Sequence, residues 1–531
     1  MSLTRTGILL VVLLCGQTLA RAEAPQVTGL FPAGVRQGET VTVKLIGKPG
    51  TEPLEVWCSR DEVVFGETNK SNEWTLTAAA DAIPGLCWVR FYNAEGTSPL
   101  KVVIIGQLSE ATETEPNDAV PEANEFPELP ITINGQLGKS EDVDTFAVNL
   151  ESGQTFIASV DAHRTLGSPM DPVLQLLSPR GFVIEQVDDH HGNDPRIVFT
   201  AQQSGTYYVR MFAFPADPNS SIGFSGAETY IYRLTLTTGP FVDHVEPLTL
   251  GNASRLTVRG WNLPEETMSL SLHPNRYSLP EPTSLILDRL PRAQGPSLRE
   301  SELDQSSLTF PAHVTGTIAQ PKETDTYTFT GSKGQAVIVS AVSQPFDSPL
   351  DPLLKLFGPD GKLIKEVDDT TRNFADAQIA LALPEDGKYR VEVTDRFGHG
   401  DEWSVYLMSI VEDRPHYELT LPADPLSMEA GKTVDVTVTV NRQGGFNQEI
   451  AVRLHGLPDG IVVSDAISLP SGDSAKSVNL TLSASDEIRF SGPLRVIGTI
   501  PDGHSVLATS AAPVEGLKLD SLWLTVTAPK K

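Results

Sequence analysis

The sequence predicts an all-β chain, built as a tandem array of β-sandwich domains. Three observations carry this. Short β-branched and aromatic runs recur along the 531 residues, punctuated by 42 glycines and 40 prolines, as in strands separated by tight turns. One stretch occurs twice: DPVLQLLSPRGFVIEQVDD at 171–189 and DPLLKLFGPDGKLIKEVDD at 351–369 share ten of nineteen positions without a gap. The match extends upstream, where Gly135, Asp144, Thr145 and Gly153 meet Gly316, Asp325, Thr326 and Gly334, and downstream, where Gly205 and Tyr207 meet Gly387 and Tyr389. Such self-similarity marks one domain present twice, about 181 residues apart. Finally, a prior of ~150 residues per domain gives this length three to five cores.

Charge and termini bound the partners. Lys and Arg total 40 against 68 Asp and Glu, a net charge of −28. This excludes a nucleic-acid partner, because phosphates need cations, and it favours solubility and cation binding. The first residues, MSLTR, precede an apolar run at 8–14 and then Ala20, Ala22 and Ala24. A basic start, a short apolar region and an A-x-A site read as a secretory signal over 1–22. Cleavage fits best after Ala22, with Ala20 and Ala24 as alternatives. The run is too short to anchor in a bilayer, and no later segment reaches a transmembrane length. The mature chain is therefore expected to be secreted, periplasmic or on the cell surface, with no membrane span. Losing the leader removes Cys15 and leaves Cys58 and Cys87. An even pair in an exported chain reads as a disulfide; two separate buried thiols are the alternative.

In order, residues 23–106 carry QVTGLF, TVTVKLIG, LEVWC, WTLTA, LCWVRFYN and LKVVIIG, the pattern of an immunoglobulin-like sandwich. The opening P-x-V-x-x-L-x-P and the later PGLCWVRFYNAEGTSPLKVVIIG resemble the transcription-factor-immunoglobulin-like (TIG) modules of exported bacterial proteins. Residues 107–129 are acidic, rich in Pro and Asn, and contain ETEPND at 113–118. They lead into the first repeated domain, 107–239. Its EPND, G-x-L, D-x-D-T-F, DP-x-L-x-L, VDD and SGTYYVRM resemble the bacterial pre-peptidase C-terminal domain. That resemblance implies a jelly-roll-like sandwich of the kind attached to secreted peptidases and other exported proteins. Residues 240–297 start as a second, shorter immunoglobulin-like module: with Pro25 set on Pro240, Val27, Pro32 and Val43 meet Val242, Pro247 and Val258. The second repeated domain is 298–413. Residues 414–531 alternate strictly at 433–440, as a half-buried strand does, and GGFNQEIAVRLHGLPDGIVV resembles the immunoglobulin-like domains appended to exported bacterial proteins. Five domains on short linkers are expected to form an elongated array.

Catalytic motifs are missing. Gly96-Thr97-Ser98 is followed by Pro99 and Leu100, a turn rather than a serine-peptidase site. No G-x-S-x-G, H-E-x-x-H, P-loop or G-x-G-x-x-G occurs, so no catalytic residue and no organic cofactor is expected. Asp188, Asp189, His190, His191 and Asp194 cluster in VDDHHGND, but the second copy replaces both histidines by threonine, which leaves a solvated acidic loop as the plainer reading. Phe212, Phe214 and Phe224 are expected to pack together.

The remaining candidate is calcium, which takes six to eight oxygens. In ETEPND, alternation points Glu113, Glu115 and Asn117 the same way, with Asp118 beside them. In relatives of the repeated domain, the collagen-binding domains of clostridial collagenases, an acidic lead-in and the acidic loop before the next strand share calcium. The resemblance therefore nominates Glu113, Glu115, Asn117, Asp118, Glu141 and Asp144, with Asp142 as alternate. A flexible acidic linker is the competing reading. The second copy keeps Glu300, Glu302, Asp304, Gln305 and Asp325 but has Lys322 in place of Glu141, so its site should be weak or empty. Together these features predict an exported, non-catalytic protein that binds an envelope or extracellular protein or polysaccharide. An accessory or remnant of a secreted peptidase system is the alternative.

Overall fold

The computed structural model describes residues 23–529 except 71, 191, 218–222, 251–254, 266–268, 272–281, 292–295, 304–306, 371–375, 423 and 515. The predicted leader, 1–22, lies outside the described residues. Period-two alternation builds the sheets. In Thr433–Gln443, Val436, Val438 and Val440 are buried while Asp435, Thr437 and Thr439 face solvent, so one face joins a core and the other stays wet. Among the described residues no helix is long and apolar enough to cross a membrane.

The two repeated domains have one topology. In the first, one sheet runs Ser109–Thr112, Ile131–Gln136, Ile231–Thr237, Thr155–Asp161, Arg196–Thr200, and the other runs Asn124–Glu125, Asp144–Leu150, Gly205–Pro215, Met170–Leu177, Val183–Val187. The second repeats both orders strand for strand, with Val405–Glu412 and Gly387–Asp395 at the two centres. Each pair of sheets closes over one core; in the first it includes Phe146, Phe156, Leu174, Tyr207 and Tyr232.

The first module is a sandwich of four- and five-stranded sheets, and the last a sandwich of four- and six-stranded sheets. The third keeps the opening of the first. Gln26–Phe31 pairs with Thr40–Lys48 through a bulge between Val27 and Gly29, and Phe241–Glu246 pairs with Arg255–Trp261 through a bulge between Val242 and His244. Gly47 and Gly260 stand opposite these bulges, where a Cβ would lie 2.2 Å from the Gln26 carbonyl and 2.1 Å from that of Phe241. Beyond that opening the third module departs from a sandwich. Its described residues make a three-stranded sheet and the helix Thr283–Arg289, whose Leu287 packs on Val242, Val245 and Val258.

The modules do not form the elongated array expected from short linkers. Arg90 of the first module pairs with Asp424 of the last, 334 residues away, with side chains 2% and 11% exposed. Trp57 meets Trp523 edge-on at 5.6 Å. Arg164 of the first repeat pairs with Asp347 of the second, Arg196 pairs with Asp243 of the third module at 2.8 Å, and Trp261 lies 4.6 Å from Trp403. Short linkers fold the chain back here because each module keeps apolar and arginine-bearing outer faces that only another module covers.

Cys58 and Cys87 lie on paired strands with Cys58 opposite Val89, which makes them diagonal neighbours on the core face. The structure carries both as thiols, not as the expected bridge. They touch: the hydrogen bond to Cys87, then burial, pushes the Cys58 thiol upward.

Two outcomes follow from these contacts. Arg90→Met leaves Asp424 buried and uncompensated, and should cost about 3–5 kcal/mol while raising the radius of gyration in small-angle scattering; an unchanged radius would show that the pair does not hold the first and last modules together. Labelling of denatured protein isolated from its host without reductant should find no free thiol, because thiols in contact oxidise readily; two labelled cysteines would leave them as the structure carries them.

Candidate metal centre in the first repeated domain

The lead-in to the first repeat is tied down, not flexible. Ser109–Thr112 adds to the sheet edge parallel to Ile131–Gln136, so Glu113 arrives beside the core. The Gln136 N–H donates to its Oε1 at 2.5 Å, and the Tyr232 hydroxyl lies 2.9 Å from its Oε2 and 2.5 Å from Asp144 Oδ2. One phenol proton can be donated once. The other short contact therefore needs a proton on a carboxyl, and the Glu113–Asp144 pair shares it. Burial pushes Glu113 up to about 7, and burial with the Glu113 charge holds Asp144 well above the usual carboxylate range.

Above this pair the chain turns inward again. Asn117 is fully buried. With its NH₂ turned in, it donates to Asp144 Oδ1 at 3.1 Å and Glu115 Oε2 at 3.2 Å. With its oxygen turned in, the same three groups form an all-oxygen set. Carboxylate oxygens of Glu115, Asp118 and Asp142 lie within 4.8 Å of one another. Asp142 Oδ2 accepts from the Gly138 N–H at 2.6 Å and the Lys139 N–H at 3.3 Å, while the buried Oδ1 faces only the Lys139 ammonium, 3.3 Å away. Lys139 Nζ hangs over the cluster, 3.3 Å from Asp142 and 3.8 Å from Asp118, on a side chain 62% exposed. An exposed lysine thus supplies the positive charge over a set of hard oxygens, and these residues fit calcium.

Glu113, Glu115, Asn117, Asp118 and Asp144 come together. Glu141 does not: it is exposed, in a left-handed turn at φ 65°, and Asp142 faces the cluster instead. A residue with positive φ breaks the strand alternation, so the phase slips by one at the strand start. Sequence reading also missed Tyr232 and Lys139. Tyr232 left a trace: a Cβ on Gly135 would fall 2.0 Å from its ring, and one on Gly316 2.4 Å from Tyr406, so the glycine shared by both copies reserves room for a tyrosine.

The second copy assembles differently. Tyr406 donates to Asp325 Oδ2 at 2.6 Å and meets the Tyr327 hydroxyl at 2.7 Å. Tyr327 occupies the place of Phe146 and supplies a second phenol. Glu302 is taken by Arg299, whose Nε donates to it at 3.0 Å. Lys322 keeps the left-handed φ of 65° with the opposite charge to Glu141. Asp304 and Gln305 lie outside the described residues. Elsewhere, Asp194 is buried beneath the backbone N–H groups of Ala162, His163 and Arg164, apart from the Asp188 and Asp189 loop, and His191 lies outside the described residues. Phe212 and Phe224 pack at 4.4 Å.

The bacterial pre-peptidase C-terminal domain family matches the chain at residues 142–213 and 323–395. No curated protein matches it. Among solved structures, fibronectin(III)-like modules of Clostridium thermocellum CbhA align at 14% identity over 37% of this chain and 88% of theirs, TM-score 0.14. A putative secreted protein from Eubacterium rectale aligns at 10% identity over 70% of this chain and 94% of its own, TM-score 0.16. The Clostridium perfringens ZmpB M60 catalytic domain with its CBM51-1 and CBM51-2 domains aligns at 10% identity, TM-score 0.15; the match takes in 74% of this chain and 46% of that one.

The shared proton generates a pH prediction. Folding raises the Glu113 pKa, so the folded protein holds a proton that the unfolded chain releases above about pH 4.5. The sign follows: without metal, stability is lost as pH rises from about 4.5 to about 7, by on the order of 3 kcal/mol at most. Thermal unfolding in chelator should show the melting temperature falling across that window, and Glu113→Gln should flatten the fall. An unchanged slope in the variant would place the titrating group elsewhere.

Proposed function

We propose that this chain, with its two pre-peptidase C-terminal domains, is an exported, non-catalytic multidomain β-protein of the bacterial cell surface or periplasm. In this reading it binds an envelope or extracellular protein or polysaccharide, and calcium stabilises its first repeat. The observation that carries the reading is the set of hard oxygens from Glu115, Asn117, Asp118, Asp142 and Asp144 in the first repeat, which the second does not reproduce among its described residues. Calcium supplies a divalent charge that replaces the shared proton of Glu113 and Asp144. This chain's residues do the rest: Tyr232 orients the inner pair, Asn117 turns its oxygen inward, and Lys139 swings into solvent. Export is supported by the leader-like start, and absence of catalysis by the lack of any nucleophile or metallopeptidase motif. The second reading, an accessory or remnant of a secreted peptidase system, is favoured by the family's association with peptidases.

The full mature chain tests both. At calcium 100-fold above its dissociation constant, the stabilisation expected is about 2.7 kcal/mol. It should grow as pH rises through the Glu113 titration, because binding displaces the proton. Glu115→Ala with Asp142→Ala should remove the shift, and Glu302→Ala with Glu323→Ala, the second-copy counterpart of Asp142, should leave it. An equal shift in both double variants defeats the site. Capture from the host's envelope by immobilised protein should retain a specific protein or glycan; turnover of a broad peptide or glycoside panel that copurifies with the chain would instead establish the second reading.

A further inference from the structure

Four modules meet around a partly open space with a mixed polar and apolar lining. The first repeat contributes Arg164, Arg196 and Arg233, and the third module contributes Arg289 from the end of its helix. Ile104 of the first module and Phe346 of the second repeat complete the wall. The space measures about 90 Å³, room for about three waters at ~30 Å³ each or for one tetrahedral oxyanion.

Three of these arginines have carboxylate partners. Arg164 pairs with Asp347, Arg196 with Asp243 at 2.8 Å and Arg233 with Glu110 at 2.7 Å. Arg289 differs. Its Nη2 donates to the neutral Thr165 hydroxyl at 2.9 Å, and its Nε is buried with no partner. Burial and the neighbouring Arg164 both press its pKa down. A buried donor on a cation is ordinarily paired, and this half-buried arginine lines the cavity.

The nearby carboxylates do not meet it directly. Asp194 accepts three backbone N–H groups at 2.7–3.2 Å, and Asp161 accepts the Thr165 hydroxyl at 2.8 Å. His244, also of the wall, is engaged on both sides: Nδ1 is bound to Asp243 at 2.8 Å and Nε2 lies 3.7 Å from Glu246 Oε1.

We infer that this junction is a binding site for one small oxyanion of phosphate size, held by the fork of Arg289 and seated between the modules. A guanidinium presents parallel donors that match such an anion, and the low-dielectric walls of the junction strengthen the attraction. Because its wall comes from four modules, a bound anion opposes their separation. The site is distinct from the calcium cluster and does not depend on it.

Equilibrium dialysis of the full mature chain against radiolabelled inorganic phosphate, with chloride holding ionic strength constant, tests this. One phosphate per chain is expected. Arg289→Met should weaken retention at least tenfold. Arg289→Lys, which keeps the charge and loses the fork, should weaken it several-fold and serves if the methionine variant does not fold. Asp161→Asn removes one carboxylate of the wall and should tighten binding. No retention by the parent protein, or undiminished retention by either Arg289 variant, overturns the inference and leaves Asp161, through Thr165, as the counter-charge of Arg289.

Discussion

Successive side chains of a strand point to opposite faces, and Ile231–Thr237, at the centre of its sheet, puts both faces to use. Tyr232 turns inward, into the room left by Gly135, and joins Glu113 to Asp144. Arg233 turns outward, binds Glu110 and Asn134, and fills the space above Gly34 of the first module, where a Cβ would lie 2.2 Å from its Nη1. One strand therefore fixes both the carboxylate cluster and the seam between the first two modules. A shift of one residue in its register would send the phenol into the seam and the guanidinium into the core.

The two repeats show how a fold persists while its site changes. Their sheets share every strand neighbour, and both keep the glycine–tyrosine pair and the left-handed residue before the Asp144 or Asp325 strand. What differs are polar positions that packing does not constrain: Glu141 against Lys322, and a Glu115 turned to the Asn117 cluster against a Glu302 held by Arg299. Phe146 against Tyr327 is the telling change inside the core, because the added hydroxyl lets the second copy satisfy its buried carboxylate without a cation. Buried glycines and apolar residues hold the architecture; a few surface oxygens decide whether an ion is welcome.

Between modules, arginine is the recurrent device. Arg90, Arg164 and Arg196 each bury a guanidinium against a carboxylate of another module. Such pairs add orientation as much as energy, since the fork accepts few geometries, while removing one partner strands a charge in the interior. They select one arrangement of sandwiches that smooth apolar faces alone would leave free to slide.

Alternation, turn residues and the internal repeat by themselves determined the all-β class, the duplicated domain and the stretch of chain that holds the carboxylates. Those signals are local, or are copies of one another, and need no knowledge of what lies across the sheet. The choice of Asp142 over Glu141 was decided by one left-handed residue that slips the phase at a strand start. Tyr232, more than a hundred residues from Glu113, entered only when Ile231–Thr237 paired with Ile131–Gln136. The strand GLCWVRFYN, apolar on both faces around Arg90, does signal cover on each side, yet it does not say by what. That the cover is the last module, brought round by Arg90 and Asp424, was decided only in the tertiary structure, because contacts between distant segments leave no period in the sequence.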